Sequence, residues 1–225
     1  QFHINIPSKY TNNTSYNTTR RHLNVLVNYL HEHGFDIQKS TLKTRKQNET
    51  LHKPINDVKG LLDEVYYFNK NLHLCCLLTY CCLLRPHQEI RQLKWSDFSE
   101  DLKTISLSGS KVKSKRNRVV PVPLYIRELL IKGEPHHNIF THATRPLNKD
   151  YFKTIWSRFK KAYKLHEQGQ TLYSFRRSGA VEIFKRTGSL TKLQKAMGHS
   201  SINVSLTYLR GLEIAELKEE DMPMV

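Results

Sequence analysis

Nowhere in the chain do apolar residues run long enough to cross a bilayer. The longest candidate, Leu72 to Leu84, is closed off by Asn71 and Arg85, and a spanning helix needs about 20 such residues. A membrane protein is not expected. Cysteine is scarce and awkwardly placed: Cys75, Cys76, Cys81 and Cys82 form two adjacent pairs inside that same run, which suits neither a disulfide framework nor the spacing of zinc ligands. They read as reduced core residues of a cytosolic protein. Acidic residues are also few, 20 Asp and Glu against 36 Lys and Arg, giving a net charge of +16 and a sequence pI near 9.7. That imbalance suits a binder of polyanions, nucleic acid first and an anionic membrane surface second. No internal repeat or low-complexity tract is present. Met is missing at position 1, where Gln1 stands, so a preceding stretch is expected and targeting signals there are not judged.

What is present is enough for a core, since 38% of the residues are hydrophobic. At about 150 residues per domain, 225 residues correspond to one medium domain plus a fragment or small second one. Leu23, Leu26, Val27 and Leu30 recur at helical spacing within Ser15 to His33, and Gly34 follows as a natural stop. The polar, basic stretch from Asp36 to Pro54 reads as a linker, which places a boundary near residue 50: residues 1–50 as one part, 51–225 as the other. A helix carrying Val58, Leu61, Leu62 and Val65 comes next, then the Cys-rich run as a buried helix ending near Arg85. Two strands, Thr104 to Leu107 and Arg118 to Val122, are expected to form a hairpin around a basic turn. Helices are expected again at Leu124 to Lys132, at Lys149 to Leu165 with Phe152, Ile155, Phe159 and Tyr163 on one face, and in pieces from Phe175 onward. The fold class is mainly α with a small antiparallel β-sheet (α+β).

The chemistry concentrates in the last third. Tyr173-Ser174-Phe175-Arg176-Arg177-Ser178-Gly179-Ala180 is followed by Met197-Gly198-His199-Ser200-Ser201 and then Tyr208. Upstream stand Leu83-Leu84-Arg85-Pro86-His87-Gln88-Glu89-Ile90-Arg91 and, in the hairpin, Lys111, Lys113, Lys115, Arg116 and Arg118 ahead of Pro121. Arg176 precedes His199 by 23 residues, and His199 precedes Tyr208 by 9. This order and spacing resemble the tyrosine recombinase family of phage-type and transposon integrases, in which an H-x-x-R box, a G-H box and a nucleophilic tyrosine recur. The resemblance covers residues 51–225 as the catalytic domain and, more loosely, Ser15 to Gly34 as the last helix of a helical core-binding domain, the rest of which is absent.

The resemblance implies that Arg85 and Arg176 are catalytic arginines, with Arg91 as an alternative to Arg85 because one extra residue separates Arg85 from Glu89. It implies a catalytic lysine eight residues before the proline, which selects Lys113, with Lys111 and Lys115 alternating beside it. His199 and Tyr208 complete the set. Tyr173 occupies the position usually held by a histidine that moves the nucleophile's proton, and a phenol with an unperturbed pKa of about 10 is a poor base at neutral pH. Arg177 stands where a second histidine is often found. Lys111, Lys115, Arg116, Arg118 and Arg177 are expected to contact DNA.

The residue types support the same chemistry. Metal-free phosphodiester cleavage needs a nucleophile, positive charge around phosphorus and an acid for the leaving 5′ oxygen. Paired guanidinium N–H groups suit two non-bridging oxygens, a phenolate can form a 3′-phosphotyrosine that stores the bond energy, and a lysine can serve as the acid. No cofactor, metal or ATP is implied. The resemblance implies as partners double-stranded DNA, a tetramer formed on paired sites and accessory DNA-bending proteins, in a cytoplasmic, nucleoid-associated setting. The tail, with Leu212, Ile214, Ala215 and Leu217 in a short stripe, is too short for a stable isolated helix and is expected to dock on a protein surface, its own or a neighbour's; the resemblance implies the adjacent protomer.

Plainer readings stand beside these. A tyrosine on an amphipathic C-terminal helix is usually a core residue, and the basic hairpin can simply track phosphates. His136, His137 and His142 read as a loop rather than a metal site, and Trp95 and Trp156 as core anchors. A type IB topoisomerase-like enzyme and a non-catalytic DNA-binding accessory factor are the competing functions.

Overall fold

A computed structural model describes residues 10–37, 42–46, 52–109, 117–164 and 169–212. The chain divides into two compact units, residues 1–51 and 52–225.

In the first unit, Asn12 caps helix α1 (Asn13–Glu32) by accepting from the backbone N–H groups of Thr14 and Ser15. The helix ends at His33, and Gly34 follows with φ of 82°. Residues 42–46, expected as plain linker, lie along this helix. Asn17 imitates a strand partner, its Nδ2 donating to Arg45 O at 2.7 Å and its Oδ1 accepting from Arg45 N at 2.9 Å. Tyr16 donates to Lys43 O, Arg20 to Leu42 O, and the Arg45 guanidinium lies 4.0 Å from the Tyr16 ring centre. Burial on α1 is therefore greatest at Tyr16 and Asn17, while Leu26 of the anticipated apolar stripe is exposed.

The second unit is built around helix α3. Asp57 caps α2 (Val58–Phe68) and Asn69 caps α3 (Lys70–Cys81), each side chain accepting from a backbone N–H in the first turn. Leu72, Cys75, Cys76, Leu78 and Thr79 of α3 are all buried, as expected of a helix apolar on every side. All four cysteines are free thiols, and burial raises their pKa values. Two 3₁₀ turns, Ile90–Gln92 and Trp95–Asp97, lead to β1 (Thr104–Leu107) and β2 (Arg118–Pro121), which pair antiparallel with Thr104 opposite Pro121 and Leu107 opposite Arg118. Asn117 Oδ1 accepts from Gly109 N and closes the base of the turn between them. Helix α4 (Leu124–Arg127) is shorter than its pattern suggested, because Leu129 N and Leu130 N bond three residues back and tighten the chain into turns. Helix α5 (Tyr151–Ala162) buries Phe152, Trp156 and Phe159, and α6 (Leu172–Thr187), α7 (Leu190–Met197) and α8 (Ile202–Leu209) complete the unit. The architecture is mainly α with one two-stranded antiparallel sheet. Among the described residues no helix is long and apolar enough to cross a membrane.

Helices α3 and α6 approach closely at Gly179, where an added Cβ would collide with the carbonyl oxygen of Tyr80. This contact fixes α6, and with it Arg176, against the end of α3. Alanine is the better helix former by about 1 kcal/mol, yet Gly179→Ala is expected to destabilise the protein by about 2 kcal/mol through overpacking. For a domain of this size that lowers Tm by about 4–8 °C, measurable by differential scanning calorimetry.

Candidate active site

The turn after α3 begins with Leu83 in the left-handed region, φ 52°, which is strained for a leucine. Its carbonyl oxygen accepts from Arg176 Nε at 2.8 Å. Arg176, on α6 and only 1% exposed, donates through Nη2 to Met197 O at 3.0 Å and through Nη1 to Tyr208 Oη at 2.8 Å. One guanidinium thus joins the end of α3, the end of α7 and the phenol of α8. Burial lowers its pKa, an effect opposed by the neighbouring Tyr208, and hydrogen bonds to three acceptors compensate for removing the charge from water.

Arg85 is held by Glu89, whose Oε1 lies 2.5 Å from Arg85 Nη1 and whose Oε2 accepts from Arg85 N at 2.8 Å. Glu89 N in turn donates to Arg85 O at 2.9 Å. The extra residue between these two side chains therefore completes one helical turn and puts them at i and i+4, where they meet. Arg91 points elsewhere, donating to His87 O and Leu147 O. The second Glu89 oxygen also pairs with Arg118 Nη2 at 2.8 Å. Arg118 was expected on the DNA-facing surface, but it is 5% exposed: the β2 register turns it inward in phase with Val120, and Nη1 donates to Ala196 O. Burial outweighs Glu89 and lowers its pKa to about 10.

His199 follows Gly198, whose φ of 66° ends α7 and whose missing Cβ would stand 3.0 Å from Arg118 Cδ. Its ring is 5.4 Å from that of Tyr208, and Nδ1 is 3.0 Å from Ser205 Oγ. Burial first, then the charges of Arg176, Arg85 and Arg118, push the His199 pKa down to about 4. The imidazole is neutral at pH 7. In the unfolded chain it titrates near 6.5, so below that pH the unfolded state binds the extra proton. The stability from the neutral folded histidine is present above about 6.5 and lost as pH falls toward about 4. Thermal midpoints measured from pH 7.5 to 4.5 should fall more steeply for the wild type than for His199→Gln.

Tyr173, on α6 three residues before Arg176, is half-buried, and burial raises its phenol pKa against the opposing charges of Arg176 and Arg85. It stacks on His52 with ring centres 5.2 Å apart and meets His87 at 6.1 Å. A cavity of about 640 Å³ is lined by Arg85, His87, Gln88, Tyr173, Gly198, His199, Ser200, Val204 and Tyr208, with Arg176 reaching Tyr208 from behind. Of the residues expected at the site, Arg85, Tyr173, Arg176, His199 and Tyr208 come together here. Arg177 does not line this cavity: it donates to His52 O at 2.6 Å and to Arg210 O. Lys111, Lys113, Lys115 and Arg116 lie outside the described residues, as do Ile214, Ala215 and Leu217 of the tail. Glu89, Ser205 and His87 had been given no role. The first had a signal, the i, i+4 spacing from Arg85. No group of three or more His, Cys, Asp or Glu among the described residues is placed to hold a metal ion.

The Phage integrase family matches residues 54–213. Three solved structures share the fold. The lambda integrase dimer bound to a COC′ core site superposes with a TM-score of 0.73 at 18% identity, over 92% of this chain and 63% of that one. The XerH site-specific recombinase bound to a difH substrate in a pre-cleavage complex gives 0.66 at 17% identity, over 96% and 65%. The Tn1549 transposon integrase, as a lysine-for-arginine variant in complex with a circular intermediate DNA, gives 0.64 at 16% identity, over 96% and 79%. The chain thus spans somewhat under two thirds of the length of the first two. No curated protein matches it in sequence.

Proposed function

As a chain that belongs to the phage integrase family, this protein, we propose, is a site-specific DNA recombinase that cuts and rejoins strands through a 3′-phosphotyrosine. The observation that carries the reading is the hydrogen bond from buried Arg176 to the hydroxyl of Tyr208 in a cavity shared with Arg85 and His199. In this reading Tyr208 Oη forms a bond to the scissile phosphorus as the bond to O5′ breaks, and the reverse attack by a 5′ hydroxyl rejoins the strand. Arg85 and Arg176 hold the non-bridging oxygens, and Glu89 keeps Arg85 and Arg118 aligned by taking a hydrogen bond from each. Neutral His199, with Nδ1 engaged by Ser205, has Nε2 left to donate to phosphate. Lys113 supplies the proton of the departing 5′ oxygen. Residues 1–50 are the last part of a core-binding domain, and residues 51–225 the catalytic domain. The partner is double-stranded DNA, on which four protomers assemble through the segment after Tyr208, with accessory DNA-bending proteins.

The test uses duplexes carrying a nick beside a randomised core, so that the cut end diffuses away and adducts accumulate. Covalent adducts on a denaturing gel, mapped by peptide digestion to Tyr208 and undiminished by EDTA, are expected. Strict dependence on magnesium, or adducts at another residue, would overturn the reading. On selected sites, exchange between two duplexes supports a recombinase, and supercoil relaxation without exchange supports a topoisomerase instead. Lys113→Ala should recover cleavage on a substrate whose bridging O5′ is sulfur, because a thiolate leaves without a proton.

A further inference from the structure

Cleavage as proposed above releases the proton of Tyr208, and the groups around the cavity differ in their capacity to take it. The Tyr208 oxygen accepts from Arg176 Nη1, which leaves its own O–H directed elsewhere. Arg85 is a cation tied to Glu89; Gln88 and Ser200 are not bases. His199 is crowded by three guanidinium groups that disfavour a further positive charge. Tyr173 is a phenol whose burial makes ionisation harder still. His87 remains.

His87 sits on the turn between Arg85 and Glu89, lines the same cavity as Tyr208 and is half-buried. Its ring lies 6.1 Å from that of Tyr173 at a 51° tilt, and the phenol of Tyr173 is within electrostatic reach of Tyr208. Tyr173 is thus the hydroxyl of this cavity that neighbours His87 and feels Tyr208. Burial is the largest influence on His87 and holds its pKa below the ordinary histidine value; Asp150, just ahead of α5, favours proton uptake, and Lys153 on α5 opposes it. A neutral imidazole beside a hydroxyl is equipped to receive a proton at pH 7.

We infer that His87 accepts the nucleophile's proton, passed to it through the hydroxyl of Tyr173, and returns it when the strand is rejoined. The inference rests on the functional reading above. As Tyr208 Oη bonds to phosphorus, its proton moves to Tyr173 Oη, and the proton of Tyr173 moves to an imidazole nitrogen of His87. The bond from phosphorus to O5′ breaks, and O5′ takes its proton from the separate acid. Tyr173 ends the step as a neutral phenol, so its high pKa is no obstacle to this role.

The test is single-turnover cleavage of the nicked duplexes with a randomised core, followed from pH 5 to 9 for the wild type, His87→Gln, Tyr173→Phe and His87→Ala with and without added imidazole. The wild-type rate should rise with pH to a plateau, with a midpoint below the ordinary histidine value of 6.5. His87→Gln and Tyr173→Phe should each lose about 100-fold or more in rate and lose that rise, while binding DNA within about threefold of the wild type. Imidazole should restore part of the rate to His87→Ala. A wild-type rate and pH profile in His87→Gln, or no rescue of His87→Ala that still melts cooperatively and binds DNA, would overturn the role of His87. A normal rate in Tyr173→Phe would overturn the relay. A wild type that forms no adduct at all would instead overturn the functional reading, which keeps the two failures apart.

Discussion

Tyr208→Phe should form no covalent DNA adduct under conditions in which the wild type does, while its noncovalent affinity for the same duplex changes less than about threefold. The substitution removes one oxygen and keeps the ring that packs beside Leu83, Ala180, Leu193 and Met197, so the surface offered to DNA is unchanged. That oxygen is also the acceptor for Arg176 Nη1. Its loss leaves a buried charged donor without a partner, which costs about 1.5–3 kcal/mol. The variant should therefore melt below the wild type by about 3–12 °C, a drop that a tyrosine serving only chemistry would not produce. Adducts at near wild-type levels, read on a denaturing gel, would remove Tyr208 from the mechanism.

The second large effect belongs to Arg176. Arg176→Ala strips the proposed phosphate site of a guanidinium and at once orphans the carbonyl oxygens of Leu83 and Met197. Cleavage should fall by about 1,000-fold or more, and stability by about 3–5 kcal/mol, the range for breaking a buried charged network. Arg85→Ala is the useful contrast. Its partner Glu89 keeps the ion pair with Arg118, so cleavage should fall comparably while Tm moves much less. Equal melting losses for the two variants would mean that Arg176 does not have the structural role its three hydrogen bonds imply.

How much of this could be read beforehand depended on the range of the interactions. The helices over Val58 to Val65 and the Cys-rich run were legible from their apolar residues, but not the side chains that cap them, Asp57 and Asn69, and the hairpin followed from the two short strands flanking a basic turn. The cluster of Arg176, His199 and Tyr208 was legible through the family's spacing: Arg176 lies in the second turn of α6, His199 just past the end of α7 and Tyr208 in the last turn of α8. Arg118 was not: a charged residue among other cations is assigned to the surface by default, and the carboxylate that draws it inward lies 29 residues earlier. His87 was hidden in the same way, its neighbour Tyr173 being distant in sequence. The pairing of Asn17 with Arg45 depends on a side-chain amide taking the place of backbone, for which composition and periodicity carry no signal.

The three bonds of Arg176 bear on how such a protein would decay. A residue that serves catalysis alone can drift once activity is no longer under selection, but a guanidinium that ties three helix ends together stays under selection for as long as the fold is needed for anything, DNA binding included. Among descendants of a chain like this one, an intact Arg176 would thus mark a folded protein rather than a working one. The phenolic oxygen of Tyr208, cheaper to lose by comparison with that whole side chain, is on the proposed function the sharper indicator of which copies still cut DNA.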